Sequence, residues 1–139
     1  MQINAYLSFE GKCEEAFQLY QQVLGGKIEG LFRFEGTPVA GQMPPDWAQK
    51  IMHIRLVIDQ NEIMGADNPP GRGGDGPAKR FCMSIGLKDP NEAERIFNGL
   101  AEGGSVQMPL QQTFWAAKFG MLVDRFGIPW MINCEAPQQ

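Results

Sequence analysis

The sequence predicts an α+β protein in which one module, a strand followed by a helix and further strands, occurs twice. Apolar residues Ala16, Leu19, Tyr20, Val23 and Leu24 stand at helical spacing and return 77 residues later as Ala93, Ile96, Phe97, Leu100 and Ala101. Each stripe runs into a double glycine, Gly25-Gly26 and Gly103-Gly104. Ahead of the helices, Ile3, Ala5, Leu7 and Phe9 alternate with other residues, and so do Phe81, Met83, Ile85 and Leu87 at an offset of 78. Side chains three and four apart share one helix face, alternating ones share a strand face, and glycine takes the left-handed conformation that stops a helix.

The partners on the opposite strand face are Asn4, Tyr6 and Ser8 in the first copy and Cys82, Ser84 and Gly86 in the second. A helix packs on the apolar face, so the mixed face is left to line a cavity between the modules. After the first helix, Lys27 to Glu35 reads as a strand ended by Gly36-Thr37-Pro38, and a Gly/Pro-rich loop runs to about Trp47. Ile51 to Ile58 alternates again: Met52, Ile54, Leu56 and Ile58 form the apolar set, and His53 and Arg55 look toward the cavity. Asp59-Gln60-Asn61 turns the chain into a short strand ending near Asp67.

The stretch from Asn68 to Lys79 has the composition of a flexible connector. It holds a formal G-x-G-x-x-G match at Gly71, Gly73 and Gly76. A phosphate cradle of that kind follows a strand and opens a helix, whereas here two prolines precede the glycines, Pro77 follows and a strand comes next. In the second module Asp89 is placed to cap the helix, Pro90 suits its first turn and Glu92 occupies the capping-box position. The chain then passes through Ser105 to Pro109 into a Gln-rich loop, a strand near Lys118 to Asp124, a turn at Arg125-Phe126-Gly127 and a last strand from Pro129 to Cys134. The expected organisation is a single domain, 1–139, of two modules at about 1–67 and 80–135.

At 139 residues and 43% hydrophobic content, the chain is sized for one globular domain with a real core. A net charge of -4 without any basic cluster argues against nucleic-acid partners. No apolar run approaches the roughly 18 residues of a membrane span, and Met1 to Glu10 does not read as a secretory leader, so a cytoplasmic location is expected. Cys13, Cys82 and Cys134 show neither disulfide-framework nor zinc-knuckle spacing, which predicts reduced thiols.

Several motifs together resemble one known group of proteins. They are Ala5-Tyr6-Leu7-Ser8-Phe9-Glu10-Gly11, the Glu15-Ala16-Phe17 helix ending at Gly25-Gly26, Ile51-Met52-His53, and Met64-Gly65-Ala66-Asp67. Most specific are Met108-Pro109-Leu110-Gln111-Gln112-Thr113-Phe114-Trp115 and Asp124-Arg125-Phe126-Gly127-Ile128-Pro129-Trp130. Over almost the whole chain the sequence resembles the PhnB-like branch of the glyoxalase/bleomycin-resistance (vicinal oxygen chelate) superfamily. The resemblance implies two βαβββ modules with curved mixed sheets, a homodimer, and a small molecule held in the hollow. Superfamily members include glyoxalases, extradiol dioxygenases, epimerases and fosfomycin thiol transferases, which use a metal, and bleomycin-binding proteins, which do not.

By the same resemblance, the superfamily's metal-bearing positions fall on Asn4, His53, Cys82 and Met131, with His53 and Met131 matched at the 78-residue offset. Of these only His53 is an ordinary ligand for a catalytic divalent ion. The expectation is therefore a small-molecule-binding protein with no cofactor; the alternative is a metal-dependent glyoxalase or dioxygenase-type enzyme using a divalent metal, with unusual ligands or ligands supplied by Glu35, Asp67 or a second subunit. Candidate ligand-binding residues are Tyr6, Arg55, Cys82, Gln111, Thr113, Trp115, Met131 and Asn133, with Arg55 favouring an anionic or carbonyl-bearing ligand. For catalysis His53 is the group suited to proton transfer near neutrality, with Asp67 either its orienting partner or a structural cap for the turn before the connector. A methyltransferase label attached to this family finds no glycine-rich strand-to-helix turn for S-adenosylmethionine.

Overall fold

The structure, a computed structural model, describes residues 2–69, 82–113 and 116–135. The chain divides into two compact units, Met1–Gly76 and Pro77–Gln139. In the first, the order is β1 (Ala5–Phe9), α1 (Cys13–Leu24), β2 (Lys27–Arg33), β3 (Ile51–Ile58) and β4 (Asn61–Asp67). In the second it is β5 (Met83–Leu87), α2 (Pro90–Ala101), β6 (Ser105–Gln111), β7 (Ala116–Val123) and β8 (Pro129–Glu135). The sheets have the same topology, β1-β4-β3-β2 and β5-β8-β7-β6. In each, the first strand pairs in parallel with the last, and the other pairings are antiparallel. Among the described residues no helix is long and apolar enough to cross a membrane.

Each helix covers one sheet face with the stripe read from the sequence. On α1 the buried residues are Cys13, Ala16, Phe17, Leu19, Tyr20 and Val23, and on α2 they are Ala93, Ile96, Phe97 and Leu100. Opposite them lie Leu7, Phe9, Ile54, Leu56 and Ile63 in the first unit and Leu122, Trp130, Ile132 and Cys134 in the second. Burying a large apolar side chain contributes about 1.5–3 kcal/mol, so these stripes dominate the stability of both units. A glycine lets each helix sit down close. A Cβ at Gly65 would stand 2.7 Å from the Phe17 ring, and one at Gly120 would stand 2.7 Å from the Phe97 ring.

The double glycines serve two separate purposes. Gly25 and Gly103 take positive φ, 82° and 76°. Gly26 and Gly104 lie against the end of the third strand, where a Cβ would fall 2.3 Å from the Val57 carbonyl oxygen and 2.2 Å from that of Val123. The first glycine turns the chain and the second lets it pass the sheet, and in the first unit Gly26 also takes a positive φ, 89°.

The helix starts differ between the units. Asp89 caps α2 by accepting a hydrogen bond from the Asn91 amide at 3.0 Å, while Glu92 pairs with Arg95 instead of closing a capping box. Lys12 supplies no side-chain cap to α1. There Asp67, at the end of β4, accepts from the amides of Gly11 and Cys13, both at 2.9 Å.

Four readings from the sequence are corrected. Ile3 is 91% exposed and precedes the strand, which begins at Ala5. The second strand ends at Arg33, and the following loop holds two short 3-10 turns over a buried Phe34–Trp47 pair with ring centroids 6.3 Å apart. The run Ser105–Gln111 is an edge strand, not a loop; Pro109 is tolerated there because an edge residue need not donate to a neighbour, and the register shifts on either side of Met108. Finally, His53 and Met131 are not counterparts. The 78-residue offset holds for Leu7 and Ile85, but their partners' registers match Gly65 with Ile132 and Ile54 with Gly120. His53 on β3 therefore corresponds to Phe119 on β7, and Met131 on β8 to Met64 on β4. The chain between β2 and β3 is longer than that between β6 and β7, which changes the offset midway. Phe81 and most of the Asn68–Lys79 connector, with Gly71, Gly73 and Gly76, lie outside the described residues.

Candidate functional site

On the face of the first sheet that α1 leaves open, Tyr6, Ser8, His53, Arg55 and Met64 alternate with buried residues, and Ala66, itself buried, stands at the next position on β4. Tyr6 belongs to β1 and His53 to β3, with β4 between them. The Tyr6 hydroxyl nevertheless lies 3.1 Å from His53 Nδ1, and the two ring centroids are 5.7 Å apart. Phe32, paired with His53 across β2 and β3, brings a second ring to 6.5 Å from the imidazole. Tyr6 and Phe32 are 53% and 56% exposed, which leaves both rings facing solvent around a half-buried histidine.

The chemistry of the pair follows from its members. Burial, with the Cys13 thiol as a smaller cause, raises the Tyr6 phenol above its ordinary range and keeps it protonated. A phenol is a strong donor and an imidazole nitrogen a strong acceptor, so the favoured arrangement is Tyr6 Oη–H donating to Nδ1. The ring hydrogen then sits on Nε2, and His53 presents an N–H donor beside two exposed aromatic surfaces. Alongside, Asn68 Nδ2 donates to Ser8 Oγ at 2.5 Å.

Two expected roles are corrected. Asp67 does not orient His53. It is 1% exposed, and besides the amides of Gly11 and Cys13 it accepts from the Ile51 amide at 3.0 Å. Its carboxylate is committed to tying β4 to the start of α1 and of β3, and Tyr6 takes the place beside the imidazole. Nor is Arg55 a free cation: its guanidinium bonds Glu62 at 2.8 Å and Glu29 at 3.4 Å, so the positive charge is locally balanced. Those carboxylates also raise the Arg55 pKa, chiefly through the Glu62 hydrogen bond. The sequence pattern gave no role to Phe32; the alternation of β2, broken by a register shift between Ile28 and Gly30, concealed its face.

The second sheet presents different groups on the same topology. At positions matched by register, Tyr6 becomes Ser84, Ser8 becomes Gly86, His53 becomes Phe119, Arg55 becomes Met121 and Ala66 becomes Asn133. Met131 and Asn133 are half-buried, and Cys82 is a half-buried free thiol just ahead of β5. Asn133 Oδ1 is buried with no hydrogen-bond partner among the described residues. Gln111 is exposed at the end of β6, and the Thr113 hydroxyl accepts from the Ala116 amide at 3.1 Å, closing the turn into β7. Trp115 and Phe114 lie outside the described residues. Cys13 and Cys134 are fully buried, and burial pushes both thiols up, more strongly at Cys13, where Asp67 adds to it.

The donor set does not fit a catalytic divalent ion. His53 is the chain's sole histidine, Glu29 and Glu62 on its face are engaged by Arg55, and Asp67 is engaged by backbone amides. Open catalytic sites are built from about three imidazole or carboxylate donors, and among the described residues this face leaves His53 alone to serve.

Two four-stranded mixed sheets, each with one helix on its back, define an α+β protein of the glyoxalase/bleomycin-resistance fold. A solved glyoxylase/bleomycin resistance protein/dioxygenase domain from Frankia sp. EAN1pec shares that fold, with a TM-score of 0.64 over 98% of both chains at 13% identity. Residues 1–133 match the model of the 3-demethylubiquinone-9 3-methyltransferase family, and the chain belongs to that family, the PhnB-like branch of the superfamily. It is 34% identical to the Protein YjdN of Escherichia coli, covering 99% of this chain and 98% of the other. Among solved structures it is similar to protein PA1353 from Pseudomonas aeruginosa, at 50% identity and a TM-score of 0.86 over 97% of this chain and 98% of that one. It is also similar to a protein from Bacillus cereus described as a PhnB protein, at 25% identity and a TM-score of 0.80 over 96% and 99%.

Proposed function

We propose that this protein binds a small organic molecule carrying a carbonyl or similar acceptor, without a catalytic metal. The observation that carries the reading is the Tyr6–His53 hydrogen bond between exposed rings. Aromatic faces supply apolar contact, and one oriented Nε2–H fixes a ligand's acceptor, the usual division of labour in small-molecule sites. With Arg55 balanced by two glutamates, a neutral ligand is favoured over an anionic one. Cys82, Gln111, Thr113, Trp115, Met131 and Asn133 belong to the proposal as further ligand-contacting candidates. If the bound molecule reacts, His53 is the proton-transfer group. The same reading takes the protein as a homodimer, as the superfamily resemblance implies, and as cytoplasmic.

Methyl transfer, named in the family's description, draws no support from the strand-to-helix turns. The amides of Gly11 and Cys13 are engaged by Asp67 and that of Asn91 by Asp89, so these groups are not offered to a cofactor phosphate or carboxylate.

A thermal-shift screen of carbonyl-bearing aromatic metabolites and aromatic antibiotics tests the reading, because a ligand selective for the folded state raises its apparent stability. Stabilisation is expected to fall in His53→Ala and Tyr6→Phe. Hits that stabilise these variants as well as the parent would defeat the assignment. Elemental analysis of protein purified without chelator tests the second reading, a metal-dependent enzyme: one stoichiometric divalent ion would establish it.

A further inference from the structure

The open face of the second sheet contains an acceptor unmet among the described residues, in a largely apolar setting that also includes the exposed Ser84, and we infer that it is a separate binding subsite for an apolar, aromatic-type group bearing one O–H or N–H donor. Asn133 Oδ1 is buried and unpartnered among the described residues, whereas buried amide oxygens are otherwise hydrogen-bonded in the great majority of cases. Its flanking residues by register are Phe119 on β7 and Gly86 on β5. Gly86 is exposed, and a Cβ placed on it would meet nothing within 4 Å among the described residues, which leaves open space beside the amide there. Met131 and Met121, both half-buried, extend the same face with thioether surface that adapts to flat apolar shapes.

The first sheet supplies the contrast. The position of Asn133 is there Ala66, that of Gly86 is Ser8 and that of Phe119 is His53. The first face offers a donor, His53 Nε2–H, and the second an acceptor, Asn133 Oδ1. An amide oxygen left without a donor costs free energy that an apolar residue of the same shape would not, so its presence in the second sheet suits a partner absent from the chain itself. The subsite deepens the small-molecule-binding reading, on which it rests, by naming the complementary group.

The test uses the full-length, 15N-labelled chain and two probes, 2-naphthol and 2-methoxynaphthalene, the second replacing the O–H donor by a methyl ether. The naphthol is expected to shift the Asn133 side-chain amide signals and to bind about tenfold more tightly than the ether, the value of one hydrogen bond to a buried acceptor. In Asn133→Leu that preference is expected to vanish while thermal stability is unchanged or raised. Gly86→Val is expected to leave the fold intact and to exclude both probes by filling that open space. Equal affinities in the parent chain, no response at Asn133 to either probe, or a marked loss of stability in Asn133→Leu would each overturn the inference, the last by exposing a structural bond. Tyr6→Phe separates this from the first-sheet reading: a naphthol preference that survives there and disappears in Asn133→Leu belongs to the second sheet alone.

Discussion

Tyr6 Oη and His53 Nδ1 stand 3.1 Å apart although their strands are not neighbours. Adjacent strands lie about 4.8 Å apart, so a phenol on β1 and an imidazole on β3 must both lean over β4 to meet. The pair is exposed and adds little to stability; what it does is select an imidazole tautomer. In Tyr6→Phe the unfolding free energy is expected to change by less than about 0.5 kcal/mol. The 15N shifts of His53 are expected to move from a protonated Nε2 toward a mixture of tautomers. Unchanged ring-nitrogen shifts would mean that Tyr6 does not hold the proton in place.

Asp67 and His53 are expected to separate cleanly by mutation. Asp67→Ala strands two buried backbone amides and a part-buried one at once and should cost about 3 kcal/mol or more in denaturant melts. Asp67→Asn, which keeps an acceptor but loses the charge, should cost less. His53→Ala should leave the melt nearly unchanged while lowering ligand stabilisation. An Asp67→Ala variant as stable as the parent would contradict the tethering role.

The paired glycines carry unequal costs. Alanine at Gly25 meets no neighbour among the described residues and faces only the strain of its backbone, φ 82° and ψ -159°, a region essentially confined to glycine, at about 1–3 kcal/mol. Alanine at Gly104 drives a methyl to 2.2 Å from the Val123 carbonyl oxygen, so the chain must move, and a loss of several kcal/mol is expected. Comparable melting temperatures for the two variants would refute the close approach.

Arg33 forks onto Glu14, and that hydrogen bond lowers the Glu14 pKa from its ordinary 4.5 despite partial burial. A depressed carboxylate stabilises the fold above its unfolded pKa and ceases to do so as the pH falls through the lower folded value. Glu14→Gln is therefore expected to be less stable near neutrality and to lose less on acidification below about 4.5. Both groups are substantially exposed, so the difference should lie within about 0–1 kcal/mol, as is usual for such pairs. Parallel stability curves for parent and variant from neutral pH into the acid range would remove Glu14 from the acid response.

The stripe Ala16, Leu19, Tyr20 and Val23, the capping Asp89 and the two glycine pairs were legible because helical spacing, caps and stops are local properties. So was the alternation that sends Leu7 inward and Tyr6 outward. The edge strand Ser105–Gln111 was not, since Pro109 and the shifts around Met108 break the period of two. The match of His53 to Met131 failed because a loop length changed between copies, which periodicity cannot register.

The order of apolar and polar residues by itself determined a duplicated strand-helix-strand design, which face of each strand is buried, and that one histidine is all the imidazole the chain has. Partnership was decided only by tertiary structure. Asp67 could be a catalytic orienter or a backbone tether, and Arg55 a free cation or a balanced one, until strand order brought β4 against the start of α1 and set Arg55 between Glu29 and Glu62. Hydrogen bonds act over about 3 Å, and which groups come within that distance depends on how distant strands are laid side by side.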